Sequence, residues 1–180
     1  MKNQNKLLSF LILCLIAAGC SSTRGLKPGQ VLYTGAEVKI NPDTSAKIDD
    51  EKYVKSTLEG KTRPKPNKSI LGFKYKLFFY NLAGEPKKPK GFKHWLRTKL
   101  GEPPVLLQDV KLKYNNDVLT SYLISQGYLQ SVVTGDTIIK GKKGHAEYTA
   151  DAGAQYQISS VRFDSTHGAL SQAILESSKE

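Results

Sequence analysis

The sequence predicts an α+β fold, two helices laid over a three-stranded sheet, and three patterns predict it. Residues 31–40 alternate apolar and polar with one change of phase, the mark of a half-buried strand. Val118, Leu119, Tyr122 and Leu123 fall on one face of a helix. Residues 128–139 and 145–151 form two strand-like runs on either side of a short basic turn, which is a hairpin pattern.

The chain opens with Lys2 and Lys6 and no acid, followed by an apolar run, residues 7–18, interrupted only by Ser9. This is the charged start and short apolar core of an export signal, and it is shorter than the roughly 20 residues a membrane span needs. Ile16-Ala17-Ala18-Gly19-Cys20 resembles a bacterial lipobox. Its small residues let an extended chain enter a peptidase cleft, and the Cys20 thiol would receive the lipid. Ala17 stands where such motifs usually carry Leu. The resemblance implies a lipoprotein signal at residues 1–19 and a lipidated tether at 20–29. Cys14 falls inside the signal, so the mature chain would hold no thiol but the acylated one and must fold without a disulfide. Ser21 after the Cys is compatible with an outer-membrane anchor facing the periplasm.

Residues 30–154 then form the main domain. In the first strand Val31 and Tyr33 share one phase and Ala36, Val38 and Ile40 the other, with Gly35 between them as the place for a bulge. Asn41-Pro42-Asp43 is a turn. Asp49 or Asp50 caps a short helix ending at Glu59, with Val54 and Leu58 on its inner face and Gly60 just past its end. Residues 61–104 break the rhythm as a basic insertion. It runs through Arg63-Pro64-Lys65-Pro66-Asn67, an aromatic core at 70–82, a Gly/Pro/Lys loop at 84–91, and two helical turns at 92–100 with Phe92, Trp95 and Leu96 together. Gly101-Glu102-Pro103-Pro104 closes it. Asn115 or Asn116 is the expected cap of the next helix, and Gly127 the left-handed residue after it. Beyond Gly153, a strand at 156–163 and a helix at 169–176 suggest that residues 155–180 begin a second, truncated copy of the module.

The run Leu119-Thr-Ser-Tyr-Leu-Ile-Ser-Gln-Gly127-Tyr128, followed by Gly153-Ala-Gln-Tyr156-Gln-Ile158, resembles a POTRA domain, whose helix ends in Gly-Tyr and whose exit carries Gly-x-x-Tyr-x-Ile. With the lipobox, Arg63–Asn67 and Lys99–Pro104, the chain is similar to the front end of TamA-like lipoproteins of the BamA/TamA family. The resemblance implies a β-α-α-β-β module that docks proteins in the periplasm. Its partners would be outer-membrane protein clients or a TamB-like periplasmic protein. Such proteins continue into an outer-membrane barrel of at least eight strands of about ten residues, which 180 residues with this plan do not supply.

Charge is unevenly placed. The net is +11, and residues 61–99 alone hold twelve Lys and Arg against one acid, Glu85. Export makes nucleic acid an improper partner for this charge. Anionic lipid, an acidic protein or a cell-wall polymer remains, each basic residue near an anionic surface contributing about 1 kcal/mol. The candidate contacts are Lys87, Lys88, Lys90, Lys93, Arg97 and Lys99. His94, His145 and His167 have no partner at metal-ligand spacing, and nucleophile-elbow, phosphate-loop and zinc motifs do not occur. The expectation is therefore a docking protein without metal, cofactor or catalysis. The alternative is a stand-alone envelope lipoprotein that grips anionic lipid or polymer through the insertion. A Cys20→Ala variant is expected to lose its acyl mass and to leave the membrane pellet on a salt wash. If mass and pelleting do not change, Cys20 is not the anchor.

Overall fold

A computed structural model describes residues 22–41, 48, 50–160 and 168–177. The signal, Cys20, Pro42, Asp43, Asp49, residues 161–163 and His167 lie outside the described residues. The elements are β1 (Leu32–Asn41), α1 (Glu51–Lys61), α2 (Tyr75–Ala83), α3 (Phe92–Trp95), a π-helical turn (Leu96–Leu100), a 3₁₀ turn (Leu107–Asp109), α4 (Leu112–Ser125), β2 (Val132–Lys140), β3 (Lys143–Asp151) and α5 (Gly168–Ser177).

The fold is α+β with a mixed three-stranded sheet in the order β1-β3-β2. β2 and β3 form an antiparallel hairpin in which Lys140 faces Lys143, and β1 lies parallel to β3. A parallel pair needs a long crossover, and the chain from α1 to α4 supplies it. α1 packs against β1, and α4 against β2. Period-two alternation turns Val38, Ile40, Val133, Ala146, Tyr148 and Ala150 toward the helices, where they meet Val54, Leu58, Leu119 and Leu123 in one buried cluster. The opposite phase, with Glu37, Lys39, His145, Glu147 and Thr149, is polar.

The change of phase in β1 is a break in register between Tyr33 and Ala36, so that Tyr33 and Val38 both reach the core. Asp50, in a left-handed conformation, accepts from the Tyr53 N–H at 3.2 Å and starts α1. Gly127, at φ 91, follows the last turn of α4. Its carbonyl accepts from the Tyr156 N–H at 2.8 Å. The Gly-Tyr and Gly-x-x-Tyr pieces of sequence therefore touch. A Cβ at Gly127 would lie 2.5 Å from the Tyr156 carbonyl oxygen, so the approach itself requires glycine.

Four expectations need correction. α1 runs through Gly60 to Lys61, because its carbonyls find partners beyond that glycine: Thr62 Oγ1 donates to Glu59 O at 2.9 Å, and Arg63 and Lys65 to Gly60 O. α4 begins at Leu112, so Asn115 is inside the helix and wholly buried rather than at its cap. Residues 156–160 form no strand; they run on from a chain pinned to the end of α4. The aromatic stretch at 70–82 is not a core. Ile70, Leu71 and Leu82 are exposed, the aromatics Phe73, Tyr75, Phe78, Phe79 and Tyr80 are half-buried, and only Leu77, Ala83 and Leu96 of the insertion's apolar residues are buried, away from the main cluster. Among the described residues no helix is long and apolar enough to cross a membrane.

Tyr33 is 0 % exposed. Burial pushes its hydroxyl up to about 12, and the Tyr148 hydroxyl adds to the rise. A phenol whose folded value lies above the unfolded 10 favours the fold fully below pH 10 and loses that contribution as pH climbs to about 12. Stability measured by denaturant titration is expected to fall across this window. Tyr33→Phe should shrink the fall while leaving the pH 7 midpoint unchanged or higher, because Tyr33 Oη has no hydrogen-bond partner to lose.

Candidate docking surfaces on the insertion and the sheet

Two buried asparagines seat the insertion. Asn115 Oδ1 accepts from Arg63 N–H at 2.9 Å, and Asn115 Nδ2 donates to Arg63 O at 2.7 Å and to Tyr148 Oη at 2.6 Å. Asn67 Nδ2 donates to Pro103 O at 2.8 Å, and Asn67 Oδ1 accepts from Val105 N–H at 2.9 Å. Each carboxamide acts as a short piece of peptide, pairing both ends with main chain. The two ends of the insertion are thereby fastened to α4 and to each other. Near its end, Gly101 lets the π-helical turn close on α2: a Cβ there would sit 2.7 Å from Arg97 O and 2.9 Å from Tyr80 Cα.

The six candidate basic residues divide. Lys87, Lys88, Lys90, Lys93 and Lys99 are exposed. Arg97 is structural: its guanidinium lies 4.1 Å from the centre of the Tyr80 ring, donates to Tyr80 Oη at 2.7 Å and to Gly84 O, and so ties the loop to α2. Lys87, Lys88, Lys90 and Lys93 line a concavity of about 530 Å³ with Phe92 and His94, while Lys99 stands apart on the π-helical turn. Lys74 is turned inward, donating to Asn67 O at 3.3 Å; burial lowers its pKa, and Lys143 adds to the fall.

Both outer strands of the sheet are edges, and they differ. The outer side of β1 is covered at its start by the chain itself. Tyr33 N–H donates to Val105 O at 2.9 Å, Leu107 N–H to Val31 O at 2.8 Å, and Val38 N–H to Glu59 Oε1 at 3.2 Å. On β2, Val133 N–H donates to Thr120 Oγ1 at 3.1 Å and Thr137 N–H to Asp136 Oδ1 at 2.6 Å. Antiparallel alternation then turns the main-chain groups of residues 133, 135, 137 and 139 outward. Among the described residues no main chain pairs with this side.

No family model, curated protein or solved structure matches the chain. The geometry must therefore speak for itself.

Sequence spacing hid one cluster. His145 and Glu147 alternate along β3, and Glu37 stands opposite Glu147 on β1, so that one ligand atom from each lies within 4.8 Å of the others. Sequence spacing could not bring these three together, because Glu37 comes from a strand 110 residues from Glu147, through parallel pairing. These residues could hold a divalent cation, but Lys39 already holds Glu147 at 2.7 Å, and a cation would have to displace it. That bond to Glu147 raises the Lys39 pKa. The two clamping asparagines were also missed; in the sequence they look like a cap and a turn residue.

Asn115→Leu keeps the size of the side chain and removes its polar ends. It is expected to cost roughly 2–4 kcal/mol in denaturant titration, since Arg63 N–H and C=O lose their partners. Amide exchange should quicken at Arg63. An unchanged midpoint would mean that the clamp carries no stability.

Proposed function

We propose that the chain is a lipid-anchored docking module of the outer membrane, facing the periplasm. On this reading it is POTRA-like in plan and binds extended polypeptide rather than catalysing a reaction. The observation that carries the proposal is the asymmetry of the sheet. Main chain covers the start of the β1 edge. Along β2 side chains take the Val133 and Thr137 N–H groups, but no main chain among the described residues pairs with that side, and the Gly135 and Ile139 N–H groups and the alternate carbonyls face outward. Such an edge accepts an added strand through main-chain hydrogen bonds, which need no particular sequence in the client. The clients that fit are strands of outer-membrane proteins or a TamB-like periplasmic partner. The lipobox-like start and the touching Gly127 and Tyr156 support the same placement. Residues 155–180, on this reading, open the next module.

The test is hydrogen exchange with an alternating apolar–polar peptide of about ten residues, the length of a barrel strand. Exchange at Gly135, Thr137 and Ile139 is expected to slow when the peptide is added. Ile139→Pro removes one outward N–H without touching the β2–β3 ladder, and it should weaken binding about tenfold or more. Protection that appears only elsewhere, or binding that Ile139→Pro leaves intact, would end the strand-addition proposal.

A further inference from the structure

We infer that the free end of the insertion is a membrane foot, which rests on an anionic lipid headgroup layer beside the lipid anchor. It rests on the proposed lipidation of Cys20 for its position, but not for its chemistry. The position comes from the tether. Gly25 lies against α2, so close that a Cβ on it would be 2.5 Å from Asn81 Oδ1. Gly25 and Lys27 share a concavity with Tyr80, Gly84 and Arg97. Five residues of extended chain span at most about 18 Å. An acylated Cys20 is thus held within that distance of the base of the basic loop, and the loop cannot be far from the surface that holds the acyl chains.

The chemistry comes from what the loop exposes. Phe92 is 73 % and Trp95 47 % exposed, and their rings stack with centroids 6.0 Å apart. Leu96, the next residue, is buried. The short helix therefore leaves its two large aromatics outward, while the π-helical turn that follows buries Leu96. If the lysines merely covered an aromatic core, the aromatics would be inside. Instead Lys87, Lys88, Lys90 and Lys93, with the single acid Glu85, line a concavity with the exposed Phe92, on which Trp95 stacks. The one ion pair among the described residues is Lys39–Glu147, on the sheet, so these cations have no carboxylate of their own in salt-bridge reach. Aromatic rings in a lysine collar match the boundary between headgroups and acyl chains, where the rings enter and the ammonium groups meet phosphate. The loop is also mounted firmly. Arg97 binds Gly84 O and stacks on Tyr80, so both sides of the loop are tied to α2. The acyl chains of a lipidated cysteine hold to the bilayer without a second contribution. What the basic surface would decide is which side of the module meets the membrane, something an acyl tether alone leaves free.

Trp95 is the only tryptophan in the chain, so its fluorescence reports this loop alone. The lipid-bearing protein is reconstituted on vesicles of phosphatidylcholine and on vesicles with added phosphatidylglycerol. Trp95 emission is expected to shift to the blue, and to be quenched by brominated acyl chains, on the anionic vesicles only. Toward 1 M salt, where the Debye length falls to about 3 Å, the shift should vanish while the protein still floats with the vesicles. The Lys87→Glu, Lys88→Glu, Lys90→Glu, Lys93→Glu variant should lose the shift, with its far-UV circular dichroism and flotation unchanged. Emission alike on both vesicles, shifted or not, overturns the inference. So does a shift that survives in the four-fold variant, or retention by an anionic cell-wall polymer with no shift on vesicles. Flotation in salt reads the anchor separately. Protein that leaves the vesicles in 1 M salt, yet shifts on anionic ones at low salt, removes the lipidation and keeps the foot.

Discussion

Asn115 sits inside α4 with no exposed surface, and both ends of its carboxamide are given to the backbone of Arg63 while its amino group also reaches the Tyr148 hydroxyl. A buried amide left unpaired is costly, and so is a buried main-chain group. Placing the two together removes both penalties and fixes the point at which the chain departs from the sheet layer. Asn67 repeats the arrangement where the chain returns, between Pro103 and Val105. The Val105 end then lies along the outer side of β1, supplying the carbonyl that closes that edge at Tyr33. The covered start of the β1 edge and the seated insertion thus follow from two side chains in series. Neither belongs to the hydrophobic cluster, yet both decide what the cluster presents to solvent.

The insertion shows how little apolar burial is needed once the ends are fixed. Leu77, Ala83 and Leu96 are its buried apolar residues, and they stand outside the main cluster. A unit that small could not hold itself together alone, since folding has to overcome the conformational entropy of every ordered residue. It is held by its clamps, by the close contact at Gly101 and by the Arg97–Tyr80 stack. Phe73, Tyr75, Phe78, Phe79 and Tyr80 are half-buried, and Phe92 and Trp95 are left at the exterior.

The sheet and the two covering helices were legible because each has a strict period. Val54 and Leu58, Leu119 and Leu123, and the alternation through Ala146, Tyr148 and Ala150 all point inward as their spacing requires. Gly35 marked the break in β1 because both apolar phases around it were visible. The insertion resisted for a physical reason. Its aromatic residues look like a core in one dimension, while their exposure is set by partners distant in sequence. Asn115 likewise reads as a helix cap until the Arg63 backbone is seen beside it. The Glu37, His145 and Glu147 group joins residues that only a parallel pairing between the first and last strands brings together. Of the basic candidates, sequence alone had no means of separating Arg97, bound to Tyr80, from the lysines that stay free.

On the insertion's side the two carboxamides bind main chain alone. Asn115 would bind the peptide group at position 63 whatever side chain it carried, and Asn67 asks only for a carbonyl and an N–H from the returning chain. The intervening segment is therefore a cassette in the evolutionary sense. Its charge, its aromatic content and its length can drift, or be exchanged entire, while the socket that receives it stays the same. A lineage could retune what this module touches by rewriting one segment, with no compensating change in the sheet beneath.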